Sequence, residues 1–599
     1  MPPTHAPTLR HLPALLLLLL AGRTRSLPSP STPTTSSAAP RPNILLIVAD
    51  DLGYADVDFQ PNNRSVVRSP HLRRLAYDGV RLSNHHVQPF CSPTRATLLT
   101  GRHVLRYGLQ NTVIWPQDAW AVPENETLLP EYLRAAGYRT AQIGKWHLGL
   151  YKPFALPLAR GFDEQYGYYL GGEDYWTHSR SDGLDWHRND TLETGDNGTY
   201  SADLLGDAAV DFIRRGAPPA AASLASAGSA ASAGSAPSAA PAAASAASAA
   251  SAATRPWFLY LPFQSVHSPL EAPAASLALY PHLSGPQKTR AAMVSALDDQ
   301  IGKITDELER THQLDTTAIV FTSDNGAPDG QALDMTIGSD ILDIPGRWAD
   351  PITGKRPTRP PPGAGSPPHG GGGGSNWPLS GWKHWVFEGG VRSAAFLRYP
   401  PVTAAVNGTT HAGLFHSVDW LPTLLKIAGV ANPGDDEEED EDKDKDEERH
   451  RSLTTKPALP LDGVDISAAL AKGGKVSPRT EIPIQITACG VTKGKVWPRS
   501  IVDGPQAALI SGDLKLIVDC YWRDSKDVGG SHVQLYNITA DVAEMKDLAA
   551  ARPDDVARLV KRLDYWESVS VEPYNMHIDA SCGEGKPQGT NPPRWDHWC

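Results

Sequence analysis

Two pairs of oxygen-bearing side chains, Asp50 with Asp51 and Asp324 with Asn325, each close an apolar run, and together they offer three carboxylates and one amide to a single point. Hard oxygen ligands of that kind suit Ca²⁺ or Mg²⁺. Cys91 opens the segment "CSPTR" just ahead of what reads as a helix, with Pro93 suited to the first turn. An anionic oxygen beside that turn would meet unpaired N–H groups and the positive end of the helix dipole. Arg95 adds planar donors, and Lys145, His147, His267 and Lys383 could bring further positive or proton-donating groups to the same centre. Cations and a metal around one nucleophile suit attack on a tetrahedral oxyanion ester. Each feature also has a plainer reading. The acidic pairs could be turn residues, the lysines solvated, the histidines satisfied in the interior, and Cys91 a buried, inert thiol.

The elements that must position these groups are visible as short apolar runs alternating with amphipathic helical patterns, which predicts an α/β fold with a large, mostly parallel sheet flanked by helices. "NILLIVADD" ends on Asp50 and Asp51, "TAIVFTSDNG" on Asp324 and Asn325, "WFLYLPFQSVHSP" leads to His267, and "YRTAQIGKWHLG" to Lys145 and His147. Four runs thus deliver polar groups at their carboxyl ends, where open α/β sheets bind ligands. From about residue 455 the text changes. "ALISGDLKLIVDCYW" reads as a hairpin around Gly512 and Asp513, and "PDDVARLVKRLDYWESV" as a helix with Val556, Leu559, Val560 and Leu563 on one face. The expected organisation is a signal peptide at 1–26, a Pro/Ser/Thr-rich linker at 27–41, the α/β domain at 42–430, an acidic linker at 431–454, and a smaller domain at 455–599 with an antiparallel sheet and a helix. Low-complexity insertions at 216–254 and 356–374 interrupt the α/β domain as surface loops.

A chain of 599 residues that is 40% hydrophobic can bury a large core. Its leader "LRHLPALLLLLLAGRTRS" joins basic residues to an apolar run too short to span a bilayer, as secretory signals do, and nothing else reads as transmembrane. Six N-x-[ST] sequons, at Asn63, Asn125, Asn189, Asn197, Asn407 and Asn537, fit a secreted or lysosome-like glycoprotein. Five cysteines suggest two disulfides and one cysteine with another fate. Cys489, Cys520, Cys582 and Cys599 lie near the carboxy terminus, which leaves Cys91 apart. The formal charge of −12 resides mostly in residues 435–449, so no basic field points to nucleic acid.

"VADDLGY", "CSPTRATLLTGR", "IGKWHLG", "QSVHSPL", "TSDNGA", "NWPLSGWKHWVFEGGVR" and "HSVDWLPTLLKIAG" stand in the order they take in the formylglycine-dependent type I sulfatases, and the chain resembles that family over residues 42 to 430. "GLQNTVIWP" and "GYYLGGEDYWTHSR" look like the arylsulfatase B group with its arylsulfatase I and J relatives. The resemblance implies an alkaline-phosphatase-like fold and a sulfuric ester hydrolase. In that family the motif cysteine is oxidised by the formylglycine-generating enzyme, so Cys91 would be the precursor of an aldehyde. Asp50, Asp51, Asp324 and Asn325 would hold one Ca²⁺ together with residue 91. The hydrated aldehyde would attack sulfur and form a covalent sulfoenzyme.

The resemblance also assigns roles: His267 and Lys383 act on the departing alcohol oxygen, Lys145 grips the sulfate, Arg95 anchors residue 91, and His147 removes the proton whose loss expels sulfate. His178 would line the substrate side, with a surface position as the alternative. Two departures stand out. Thr94 occupies a position where the family usually has serine, and "WPQDAWAVP" lacks two cysteines of the arylsulfatase B group. The implied substrate class is a sulfated sugar, such as a galactosamine 4-sulfate in a glycan, or an aryl sulfate. The rivals are a phosphonate or phosphate ester hydrolase on the same fold and a catalytically silent glycan-binding protein.

Overall fold

β1 (Asn43–Ala49), the first of the apolar runs, is the centre of the molecule, and every residue after Asn43 is buried. In the computed structural model it belongs to a ten-stranded sheet. The strands of the chain follow as β2 (Val80–Leu82), β3 (His85–His86), β4 (Arg139–Lys145), β5 (Glu164–Tyr168), β6 (Ser179–Arg180), β7 (Gly183–Leu184), β8 (His187–Arg188) and β9 (Thr191–Leu192). Then come β10 (Trp257–Pro262), β11 (Thr317–Ser323), β12 (Ala395–Arg398), β13 (Thr410–His411), β14 (Phe415–His416), β15 (Glu481–Ile484), β16 (Gln506–Ser511), β17 (Leu514–Asp519) and β18 (Val533–Asn537). The structure describes residues 41–60, 65–180, 183–217, 255–328, 373–433, 459–486, 506–519, 533–574, 581–582, 586–588 and 593–599. The leader, Asn63, Cys489, Cys520, most of the linkers and most of both insertions lie outside them. Among the described residues no helix is long and apolar enough to cross a membrane.

The large sheet runs β13-β2-β12-β11-β1-β10-β4-β5-β8-β9. Its five middle strands, β11 to β5, are all parallel, and antiparallel pairs flank them on both sides. The four runs singled out in the sequence are therefore four adjacent strands. Ala49 is level with Ser323, and Val48 with Pro262, so the strands end at nearly the same height. Bonds from Asp324 N to Ala49 O and from Asp50 N to Ser265 O carry the ladder one step past the strand ends.

Alternate side chains of β1 enter different cores. Ile44, Leu46 and Val48 pack beneath α2 (Cys91–Thr100) and the helix Trp420–Ile427, while Leu45, Ile47 and Ala49 pack against α1 (Pro70–Tyr77) and the helices Ser201–Arg215 and Gly285–Arg310. A sheet covered on both faces has near-continuous apolar strands, as these are. The carboxy-terminal part forms the four-stranded antiparallel sheet β15-β16-β17-β18, with β16 and β17 turning at Gly512 (φ 58°) and Asp513. The helix Pro553–Ser568 lays Leu559, Leu563 and Trp566 on this sheet, with Val556 and Val560 half-buried at the margin. Cys582 and Cys599 form a disulfide.

Candidate active site

Each residue of "CSPTR" is tied to a different element. Phe90 caps α2 in extended conformation and Cys91 is its first residue, 2% exposed. Ser92 Oγ accepts from Ile114 N at 3.2 Å, fixing the segment Val113–Pro116 as a wall above the helix end. Thr94 Oγ1 accepts from Gln88 N at 2.9 Å and donates to Gln88 O at 3.2 Å, so the threonine uses the hydroxyl that a serine would also carry. Arg95 donates from Nε and Nη2 to Asp324 Oδ2 at 3.1 and 2.7 Å. All ten residues of α2 are buried, and the helix stops at Gly101 in the left-handed conformation that glycine adopts without strain.

The strand ends bring the acids and cations to the same place. Asp50 Oδ2 receives Lys145 Nζ at 2.5 Å, and the Cys91 thiol faces Asp50 Oδ1 at 3.6 Å. Asp51 receives Lys383 Nζ at 2.7 Å on Oδ1 and 2.9 Å on Oδ2, and His267 Nε2 stands 3.8 Å from Oδ2. Asp51 N donates to Asp324 Oδ1 at 3.1 Å, and Asn325 Nδ2 donates to Asp51 Oδ1 at 2.7 Å. Asp50, Asp51, Cys91 and His267 offer atoms within 4.8 Å of one another, as a metal centre would. The resemblance sets His267 to protonate or stabilise the departing alcohol oxygen; the structure brings it into this cluster as well.

Lys383 comes from a loop rather than a strand end. Asn376 clamps both the N–H and the carbonyl of Ala327, just beyond β11, and Lys383 N donates to that same carbonyl at 3.1 Å. Gly326 leaves no room for a side chain against Gly389 O, so this loop lies directly on the Asp324 and Asn325 turn. Asp51, His147 and His384 hold φ of 60°, 56° and 78°. Left-handed backbone in non-glycine residues is strained and gathers at functional sites.

Burial would raise the Asp51 carboxyl, but Lys383 and then His267 hold it well below the usual carboxylate range. Burial would lower the Lys383 ammonium, and Asp51 reverses this and holds it above the usual lysine range. Burial, reinforced by repulsion from Asp50, pushes Asp324 up to about 6 despite Arg95. Burial drives His267 down to about 3, which Asp51 offsets only in part. Burial also pushes the Cys91 thiol far up despite Lys145 and Lys383, so the thiol itself is a poor nucleophile here.

A cavity of about 90 Å³ opens onto Asp51, Cys91, His147, His267 and Lys383. His147 Nε2 lies 3.1 Å from Ile114 O, and a carbonyl only accepts, so Nε2 carries the proton and Nδ1, buried and without a partner among the described residues, is a free acceptor. Gly171 makes this possible: a Cβ there would lie 2.6 Å from His147 Cε1. The site residues read from sequence, Asp50, Asp51, Cys91, Arg95, Lys145, His147, His267, Asp324, Asn325 and Lys383, are thus brought together. His178 is not among them. It is 1% exposed, stacked on Trp186 at 4.4 Å with Nε2 at 3.2 Å from Asp196 O, and neither lines the cavity nor reaches the surface. Sequence reasoning missed Arg180, two residues on, and His384, next to Lys383, which both line the cavity. It quoted the Val113–Pro116 text only as a resemblance, and that segment is the apolar wall.

Comparison with known proteins agrees with this geometry. A family model described as Sulfatase matches residues 42–430. Arylsulfatase J of Mus musculus is 29% identical over 567 residues, covering 89% of this chain and 76% of that protein. N-acetylgalactosamine-6-sulfatase of Homo sapiens is 30% identical over 424 residues, covering 67% of this chain and 65% of that protein. Among solved structures, Ps i-CgsB in complex with k-i-k-neocarrahexaose superposes with a TM-score of 0.63 at 25% identity, covering 89% of this chain and 94% of that one.

Proposed function

Because the chain belongs to the sulfatase family, we propose that it hydrolyses sulfate esters of glycans at the cluster around Cys91, with residue 91 as the source of the nucleophile. Formylglycine chemistry is characteristic of this family, and the solved structure that holds k-i-k-neocarrahexaose supports a carbohydrate as the substrate. The observation that carries the reading is the convergence of a buried, unreactive thiol, three carboxylates, and Arg95, Lys145, Lys383, His147 and His267 on one cluster that opens to a cavity. A thiol held protonated has little use there as it stands. It is well placed as a precursor.

Asp50, Asp51, Asp324 and Asn325, with residue 91, would hold one Ca²⁺. The donors are hard oxygens, and among the described residues Asn325 Oδ1 is buried without a partner although its Nδ2 is satisfied, which fits an atom aimed at a cation. Bound there, the ion supplies positive charge to a sulfate oxygen. Oxidised to formylglycine by a converting enzyme, residue 91 supplies an aldehyde hydrate, with one hydroxyl to attack sulfur and a second whose deprotonation releases sulfate.

The chain's own residues do the rest. Lys145, on the last residue of β4, and Arg95, in the first turns of α2, hold positive charge beside Asp50 and Asp324, so a sulfate entering the cavity meets fixed cations without reorganisation. His147 Nδ1 is the free acceptor for a hydroxyl proton on residue 91. Lys383 remains protonated and faces the cavity, so it supplies a proton to the departing alcohol oxygen, with His267 beside it to share that proton. The galactosamine 4-sulfate class of substrate belongs to this proposal, with an N-acetylgalactosamine-6-sulfatase among the relatives as support for a sulfated galactosamine. So does passage through the secretory pathway, supported by the leader, the sequons and the Cys582–Cys599 disulfide.

The test is the mass of the tryptic peptide "LSNHHVQPFCSPTR", residues 82 to 95, from protein secreted by a eukaryotic host. An aldehyde at residue 91 is the expected result. An intact thiol, in a host that converts a control sulfatase, would overturn the nucleophile and favour a silent binding protein.

A further inference from the structure

Arg180 enters the cavity from β6 and lines it together with the apolar segment Ile114, Trp115 and Pro116. It is half-buried, and among the described residues no carboxylate lies within ion-pair distance of its guanidinium. Among the described residues its one side-chain hydrogen bond runs from Nη1 to Gly172 O at 2.9 Å. Asp185, which attracts it from further away, is occupied with Tyr169 N and Leu170 N at 3.0 and 2.8 Å. The other cations around the cavity, Lys145 and Lys383, each sit on an aspartate. A half-buried guanidinium without an opposing carboxylate keeps planar donors free for an anionic ligand.

Its position relative to His267 says which part of a ligand it would meet. A side chain at Gly172 would lie 3.0 Å from His267 Nδ1 and 3.2 Å from Arg180 Nη1, so the two groups flank the same empty position. His267 stands beside the departing oxygen in the reading above, which places Arg180 on the leaving-group side. The arginine is also braced. Its carbonyl accepts from Trp595 Nε1 at 2.7 Å, and Trp595 N donates to Leu184 O on the paired strand β7 at 2.9 Å. The hairpin thus rests on the tail that ends in the Cys582–Cys599 disulfide.

We infer that Arg180 is a specificity residue for a second anionic group, carboxylate or sulfate, carried by the sugar that leaves when the ester is cleaved. The inference rests on the cavity being the sulfate ester site. A planar guanidinium takes either anion through paired N–H donors, and Ile114, Trp115 and Pro116 in the same lining offer an apolar surface to the sugar ring.

Binding and turnover test it separately. Full-length Cys91→Ala protein is titrated calorimetrically with 4-nitrophenyl sulfate and with its ring-carboxylated and ring-sulfonated analogues, and the titrations are repeated with Arg180→Gln and Arg180→Lys added. A charge-assisted hydrogen bond predicts at least about tenfold tighter binding of a dianionic probe, lost in Arg180→Gln and partly kept in Arg180→Lys. Preference for one analogue over the other identifies the anion. Equal affinity for all three probes, or a preference that survives Arg180→Gln, overturns the inference. Sulfate release from 4-nitrophenyl sulfate by the mature enzyme is read independently. Release without an Arg180-dependent preference removes the subsite alone, whereas Arg180-dependent binding without release removes the hydrolase reading alone.

Discussion

Lys515 Nζ, on β17 of the carboxy-terminal sheet, lies 2.8 Å from Glu388 Oε1, and both side chains are fully buried. Glu388 also takes His86 Nε2 and Arg392 Nη1, each at 3.1 Å, and Lys515 holds Glu544 at 2.9 Å. Glu388 opens the short helical turn Glu388–Val391, whose Gly390 carbonyl accepts from Gly326 N beside Asp324 and Asn325. One lysine therefore links the small sheet to the backbone that presents the Asp324 and Asn325 turn and the Lys383 loop.

Replacing Lys515 by methionine leaves Glu388 and Glu544 as neighbouring buried carboxylates with one counter-charge fewer. Breaking a buried pair of this kind destabilises by about 3–5 kcal/mol. The expected result for Lys515→Met is a large drop in the urea midpoint, with turnover lost at temperatures where the wild type is fully folded. An unchanged midpoint would show that the network contributes no stability.

Lys383→Ala removes the protonated group proposed for the leaving oxygen and leaves Asp51 without its nearest cation. Loss of a general acid lowers turnover by about 10²–10⁴-fold. Asp51→Ala should also abolish turnover of an aryl sulfate, because it empties the centre of the cluster. Full activity in either variant, measured by sulfate release, contradicts the site.

Calcium should raise the thermal midpoint of the wild-type protein. A ligand at 100 times its dissociation constant stabilises by about 2.7 kcal/mol. Asn325→Ala removes the unpartnered Oδ1 and should shrink the calcium-dependent shift without abolishing folding, and dialysis against a chelator should reduce turnover reversibly. A shift of equal size in Asn325→Ala would place calcium elsewhere.

Asp185 reports on pH. Burial pushes its carboxyl up to about 7, despite bonds from Tyr169 N and Leu170 N. A carboxyl whose folded pKa exceeds its unfolded value of about 3.9 stabilises fully at low pH and loses that contribution as pH rises through the folded value. The stability advantage of the wild type over Asp185→Asn should therefore be greater near pH 4.5 than near pH 7.5. Denaturant midpoints at the two values check it, and the opposite trend would show that the folded protein favours the ionised carboxyl.

The strand-end chemistry was legible because an apolar run closing on polar residues is a local signal, and four such runs became four adjacent strands with Asp50, Asp324, His267 and Lys145 at their ends. The hairpin at Gly512 and the helix Pro553–Ser568 were legible for the same reason. Arg180 was not, since its direction depends on Trp595, more than four hundred residues away in the chain. His178 was misplaced because nothing local separates a pocket histidine from one stacked on Trp186. Lys515 looked like any lysine in a strand, and its partner Glu388 is set by the docking of the small sheet on the α/β core.

The burial of Cys91 sets an order of events in the making of this protein. Its sulfur sits at the inner end of a helix whose ten residues are all enclosed, behind a cavity with room for a sulfate-sized group but not for another enzyme's catalytic centre. Any catalyst that oxidises residue 91 must therefore meet it before α2 docks beneath the strand ends. On the proposed reading, maturation and folding would compete for the same segment of chain, and a molecule that folds first would keep its thiol.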